Sequence, residues 1–155
     1  MSKLVNIINA TKDLNILRSK KDYKAPFEVV GTYRLIDDGL RPEATVIIKA
    51  KNKQMHEAST GVGPVDALAN VLKKSLSSIF PVIQGISLVD FSSRIQDSRA
   101  GTAAQVEVNI IFSAGEDIWS VVAISENINQ ASFVALIDGF EYAILASKVA
   151  DAQKK

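Results

Sequence analysis

The sequence predicts an α+β fold of two βββα units related by a pseudo-twofold, each a small sheet carrying one helix, with apolar surface left over for dimerisation. Three observations carry that expectation. Apolar residues alternate with a period of two along 27–59 and again along 86–125. The period changes to helical spacing at Pro64 and near Asn127. The order of three strands and then a helix therefore occurs twice, and a long unit present only twice argues for a paired domain rather than a solenoid.

The elements follow in order. Residues 1–26 form a basic leader: residues 1–24 hold Lys3, Lys12, Arg18, Lys20, Lys21 and Lys24 against Asp13 and Asp22. Leu4, Ile7, Ile8 and Leu14 have rough helical spacing, so a short helix and then a solvated tether ending at Pro26 are expected. In the first unit, 27–81, Phe27, Val29 and Tyr33 alternate along one strand, and 37–42 supply turn residues. Residues 45–51 place Val46, Ile48 and Ala50 on one side and Thr45, Ile47, Lys49 and Lys51 on the other. Asn52-Lys53 then turns the chain into 54–59. Pro64 suits a first helical turn, where a missing N–H costs nothing, and Val65, Leu68, Leu72, Leu76 and Ile79 continue at helical spacing up to Pro81.

The second unit, 82–150, repeats the pattern. Residues 86–95 alternate, 102–112 put Ala104, Val106, Val108, Ile110 and Phe112 on one face, 113–116 turn, and 118–125 return. A helix then starts near 127–129, with Phe133, Leu136, Phe140 and Ile144 at helical spacing. Ala67-Leu68 and Leu72 of the first helix correspond to Ala135-Leu136 and Phe140 of the second. Residues 151–155 are a polar tail. One helix covers one face of three strands, and burying the remaining apolar surface at ~25 cal/mol per Å² drives the units together and then into a dimer.

Composition bounds the function. At 155 residues the chain makes one domain or two small halves of one. It has no cysteine and one histidine, His56, which excludes disulfides, zinc–thiolate sites and cysteine catalysis and leaves only carboxylate-based metal or acid/base chemistry. A formal charge of +1 does not match a dedicated nucleic-acid binder. No stretch approaches the ~20 apolar residues of a membrane span, and the start lacks a signal peptide's apolar core. A cytoplasmic location is expected, with no membrane and no nucleic-acid partner.

The strongest chemical feature is Gly61-Val62-Gly63-Pro64 before a helix, where unpaired N–H groups carry partial positive charge and bind carboxylate or phosphate. It lacks the third glycine of a dinucleotide fingerprint and the Lys-Ser/Thr of a phosphate loop, and glycines needed only for a tight turn are the competing reading. Asp66 in the first helical turn repels an anion placed directly on it and can instead receive an ammonium, so a ligand carrying both groups suits the turn. Asp37-Asp38 and Glu116-Asp117 read as solvated turn acids, His56 as a surface or edge residue, and Trp119 as packing. Ser59 and Thr60 have no base for nucleophilic work. No catalytic residue, metal site or cofactor is expected.

Residues 58–68, Ala-Ser-Thr-Gly-Val-Gly-Pro-Val-Asp-Ala-Leu, resemble the C-terminal regulatory domain of 2-isopropylmalate and citramalate synthases. So do 101–108, Trp119 to Ser125 and 126–136, in the order of that domain's closing strands and helix. The resemblance runs from about Phe27 to Val149. It implies two βββα units that dimerise and bind a branched-chain amino acid, leucine or isoleucine, at the dimer interface to inhibit the synthase. By position it implies an effector site of Gly61, Val62, Gly63, Pro64, Asp66, Ala67, Phe91, Ala103 and Ile128. The family's catalytic barrel, with its His-x-His metal pair, has no counterpart here, so the resemblance implies a regulatory domain, free-standing or part of a larger enzyme, that serves a barrel in trans or one missing from this chain. The other reading from the same residues is a structural dimerisation module that has lost its effector.

Overall fold

The computed structural model describes residues 6–96 and 104–153. These form eight strands and three α-helices in two sheets, a mixed α+β fold. The chain divides into two compact units: the described residues of Met1–Tyr23 with Gly85–Gly139, and Lys24–Gln84 with the described residues of Phe140–Lys155.

In the unit centred on Lys24–Gln84, β4 (Glu43–Ala50) is the spine. β5 (Lys53–Thr60) pairs antiparallel along its full length on one edge. β2 (Glu28–Val29) and β3 (Arg34–Ile36) must therefore share the other edge. The continuous strand expected from Phe27 to Tyr33 is thus broken, because Gly31 takes φ +71, a left-handed conformation no extended strand contains. The hairpin turn is Lys51-Asn52, one residue earlier than expected. Both residues have positive φ, as a two-residue turn matching strand twist requires, so Lys51 leaves the strand and Lys53 enters the next. The Lys51 ammonium lies 5.0 Å from the centre of the Phe80 ring.

Alternation along β4 is as the sequence requires: Ala44, Val46, Ile48 and Ala50 are buried, and the residues between them are not. Helix α2 (Pro64–Ser77) covers that face with Ala67, Leu68, Val71, Leu72 and Leu76, all fully buried. It ends before Ile79. A 3-10 turn, Pro81–Gly85, follows and buries Ile83.

In the unit containing Gly85–Gly139, β6 (Ser87–Gln96), β7 (Gln105–Ala114) and β8 (Asp117–Ser125) form an antiparallel meander. β7 runs two residues beyond the expected Phe112. The turn is correspondingly tighter and uses Gly115 at φ +62. Val108, Ile110 and Phe112 are buried with Trp119 and Val121 of β8. Phe112 and Trp119, directly opposed in the register, stack at 5.8 Å between ring centres and 7° between planes. The Trp119 indole N–H donates to the Gly139 carbonyl at 3.0 Å, which satisfies its one polar atom in the core. On the opposite face Arg94 Nε donates to Glu107 at 2.6 Å. That hydrogen bond holds the Glu107 carboxyl below its ordinary value. Its stabilising contribution is therefore present above the ordinary carboxylate range and lost on acidification.

The leader has the short helix and the mostly exposed stretch up to Pro26 that the sequence suggests, but its start is packed on the sheet. β1 (Ile8–Asn9) adds to the sheet parallel to β8, and α1 (Ala10–Arg18) follows directly. Asn9 starts α1, its side chain accepting from the Lys12 N–H at 3.1 Å. Ile8 is therefore in a strand, Ile7 is exposed, and Leu4 lies outside the described residues. Ala10 and Leu14 are fully buried, and Thr11 Oγ1 accepts the Val122 N–H at 2.9 Å. Arg18 reaches Asp138 of the last helix at 2.8 Å. Asp138 is only 8% exposed, so Arg18→Met should leave a carboxylate short of its main donor and cost about 1–2 kcal/mol in urea unfolding. The value is reduced from that of a fully buried pair because Arg18 itself remains one-third exposed.

Helix α3 (Ile128–Gln153) starts where Asn127 Oδ1 accepts the N–H groups of Asn129 and Gln130, at 2.8 and 3.2 Å. It runs into what the sequence suggests is the polar tail, and it belongs to one unit up to Gly139 and to the other from Phe140. Its Phe133, Leu136, Phe140 and Ile144 are all buried.

Candidate functional site

The site is built on the connection from β5 to α2. Gly61 is buried, and its N–H donates to the Pro42 carbonyl at 3.1 Å. A Cβ there would stand 2.3 Å from the Ala67 backbone nitrogen and 2.7 Å from the Ala67 Cα, so glycine is required by close approach of the helix. Gly63 is different. It is the extended N-cap, at φ −138, and a Cβ there meets nothing within 4 Å. Having no side chain, Gly63 supplies no acceptor to the first turn. The Val65 and Asp66 N–H groups lie there, before any intrahelical carbonyl can reach them.

Asp66 has a structural task that its position near a helix start does not announce: its Oδ2 accepts the Val62 N–H at 2.8 Å and closes the loop over the helix end. Asn70 Nδ2 donates to the Thr60 carbonyl at 3.0 Å, and Lys74 Nζ to the Ala58 carbonyl at 3.2 Å while pairing with Glu57 at 3.5 Å. Asp66, Asn70 and Lys74 recur every four residues. They form a polar stripe on one helix face that fastens α2 to the end of β5. The spacing was visible in the sequence, but nothing in it said that the stripe faces the strand end rather than solvent.

The residues implied as effector contacts are distributed as follows. Gly61, Val62, Gly63, Pro64, Asp66 and Ala67 lie together at the helix start. Gly61 and Ala67 are buried, while Val62, 83% exposed, and Asp66 face solvent. Phe91 on β6 and Ile128 at the start of α3 belong to the other compact unit and are 37% and 41% exposed. Ala103 lies outside the described residues. A broad open cleft of about 760 Å³ elsewhere in the unit of Lys24–Gln84 is lined by Lys24, Phe27, Glu28, Lys49, Lys51 and Lys53.

The other polar candidates stay apart. Asp37, Asp38 and Glu116 are exposed loop or turn residues, Asp117 is the exposed first residue of β8, and Asp38 accepts from the Leu40 N–H at 3.4 Å. His56 is exposed on β5, opposite Ile47. Among the described residues no three His, Cys, Asp or Glu side chains converge, and no helix is long and apolar enough to cross a membrane.

The model of the LeuA allosteric (dimerisation) domain matches residues 12–144, from inside α1 to the buried part of α3. The chain belongs to the LeuA allosteric (dimerisation) domain family. The glycine turn and every strand but β1 fall within this LeuA-type domain, and so does most of α1, which the resemblance read from the sequence did not reach. Similar proteins include the (R)-citramalate synthase of Geobacter sulfurreducens, 35% identical over 152 residues, which are 94% of this chain and 29% of that protein. That of Aquifex aeolicus is 38% identical over 110 residues, 70% of this chain and 21% of that protein. That of Synechocystis sp. is 38% identical over 101 residues, 65% and 18% respectively. The chain thus spans less than a third of the length of these relatives.

Proposed function

We propose that this LeuA-type domain is a non-catalytic, homodimeric sensor that binds a branched-chain amino acid, leucine or isoleucine, and feedback-regulates a 2-isopropylmalate or citramalate synthase whose catalytic barrel lies outside this chain. The observation that carries the reading is the start of α2. Gly61 lets the loop press onto the helix, and Gly63 leaves first-turn N–H groups open at the positive end of the helix dipole, where an amino acid's carboxylate is stabilised. Phe91 and Ile128 are apolar surfaces suited to a branched side chain. Asp66 has one oxygen engaged by Val62, leaving the other for an ammonium. That the similar proteins are (R)-citramalate synthases supports the choice of enzyme. No metal or cofactor is needed for this role, and the protein works in the cytoplasm.

Regulation then follows from differential affinity. An effector that prefers one arrangement of the dimer shifts the population toward it, with a coupling of ~1–3 kcal/mol. Calorimetric titration with leucine, isoleucine and valine tests binding, and no heat together with no thermal shift at millimolar concentration would sink the sensing role. One methyl is worth ~1–3 kcal/mol of discrimination, so the three titrations should separate. Gly63→Val is the sharper probe. Its side chain enters open space and strains no backbone, so folding should be unchanged within ~0.5 kcal/mol while effector affinity is lost. The engagement of Asp66 by the loop favours a second reading, a dimerisation module without effector. A stable dimer that is silent in all three titrations would establish that reading instead.

A further inference from the structure

Strand β6 is the free edge of its sheet among the described residues, paired only with β7, and it exposes Val89 at 58% and Ile95 at 71%. Exposed strand edges with apolar residues are normally covered or blunted. Its sequence has a further property. Counted outward from Ser92, Ser93 balances Phe91, Arg94 balances Asp90, and Ile95 balances Val89. An antiparallel copy of this strand centred on Ser92 would therefore oppose acid to base twice and apolar to apolar twice, with two serines at the centre.

We infer that β6 pairs antiparallel with β6 of a second copy about a twofold axis at Ser92, making one continuous sheet across the dimer. The inference rests on the homodimer proposed above and names the strand that builds it. A twofold interface uses the same patch on both subunits, so it must be self-complementary, and this strand is. By the register with β7, Asp90, Ser92 and Arg94 share a face with Ile111, Asn109 and Glu107. Asp90 of one copy meets Arg94 of the other on that face. Arg94 gives its Nε to Glu107 and keeps its terminal nitrogens for the second carboxylate. Val89, the extra residue where β6 bulges out of register with β7, stands at the end of this pairing beside Ile95 of the second copy, so the two most exposed apolar side chains of the strand come together there.

The test uses the whole chain. Asp90→Arg and Arg94→Asp each replace two attractive contacts by two repulsive ones, and each should raise the dimer dissociation constant by about tenfold or more in sedimentation equilibrium. Mixing the two variants restores both contacts, so a heterodimer should form with near-parental affinity even though neither variant dimerises well alone. Because the chain has no native cysteine, Ser92→Cys places the only thiols of the dimer on the axis, and mild oxidation should give a covalent dimer. Thr11→Cys, far along the chain, should not. A dimeric parent whose Asp90→Arg and Arg94→Asp variants associate as tightly as itself, or whose Ser92→Cys variant does not crosslink, overturns the strand pairing while leaving the homodimer standing. A parent that is monomeric throughout overturns both.

Discussion

Gly61→Ala should destabilise the domain by about 3 kcal/mol and abolish effector binding together, whereas Gly63→Val, two residues away, should lose binding alone. The difference is geometric. The Cβ of residue 61 would stand 2.3 Å from the Ala67 nitrogen and 2.7 Å from the Asp66 carbonyl carbon. Both are backbone atoms of a helix whose neighbours Leu68 and Leu72 are fully buried, so no side chain can rotate away and the loop or the helix must move. Movement also breaks the Gly61 N–H bond to Pro42 and pulls the Val62 N–H from Asp66. In a chain of this length the loss should appear as a fall of roughly 10 °C in melting temperature, measurable by circular dichroism. A melting temperature unchanged in Gly61→Ala would show that the close approach is not required.

Gly139→Ala should be destabilising even though alanine is the better helix former. Replacing a mid-helix glycine gains ~1 kcal/mol of propensity, but the new methyl would stand 2.2 Å from the Phe112 Cε1 and Cζ atoms. That ring is fully buried and stacked on Trp119, whose indole N–H donates to the Gly139 carbonyl. The ring cannot yield without disturbing both, so overpacking of about 3 kcal/mol should leave a net loss near ~2 kcal/mol. Phe112→Leu alone should cost about 1–2 kcal/mol, yet combined with Gly139→Ala it should cost less than the sum, because the smaller side chain makes room for the methyl. Trp119 is the sole tryptophan, so its fluorescence reports the unfolding curve and the local repacking in one measurement. Strict additivity of the two substitutions would mean that the ring and the glycine do not compete for the same space.

Much of the fold was legible because period and turn chemistry are local. The alternation of Val46, Ile48 and Ala50, the proline at the first turn of α2 and the asparagine cap of α3 each depend on a few neighbouring residues, and each stands where the sequence placed it. The errors have local causes too: Gly31 divides a strand, and Lys51, unlike most residues with a Cβ, adopts positive φ and moves the hairpin turn by one residue. The leader was harder. Ala10 and Leu14 are too few to announce burial, and the groups that tie their helix down, Val122 of β8 through Thr11 and Asp138 of the last helix through Arg18, lie more than a hundred residues away.

The glycine turn shows the same division. That a helix starts after Gly63 with unpaired N–H groups follows from residue types alone, since a proline at the first turn and a glycine before it have only a few conformations open to them. Which glycine matters for stability does not follow. Gly61 and Gly63 read alike in the sequence, and only the packing of α2 against the strand end separates the one with no room for a methyl from the one facing open space. Local conformational preference is written in neighbouring residues, whereas steric exclusion is a property of surfaces that meet only after the chain has folded. The sequence alone determined most of the strands, the helix starts at Pro64 and after Asn127, and the chemistry available at this turn, and the tertiary structure decided the packing of the leader and where the backbone leaves no space.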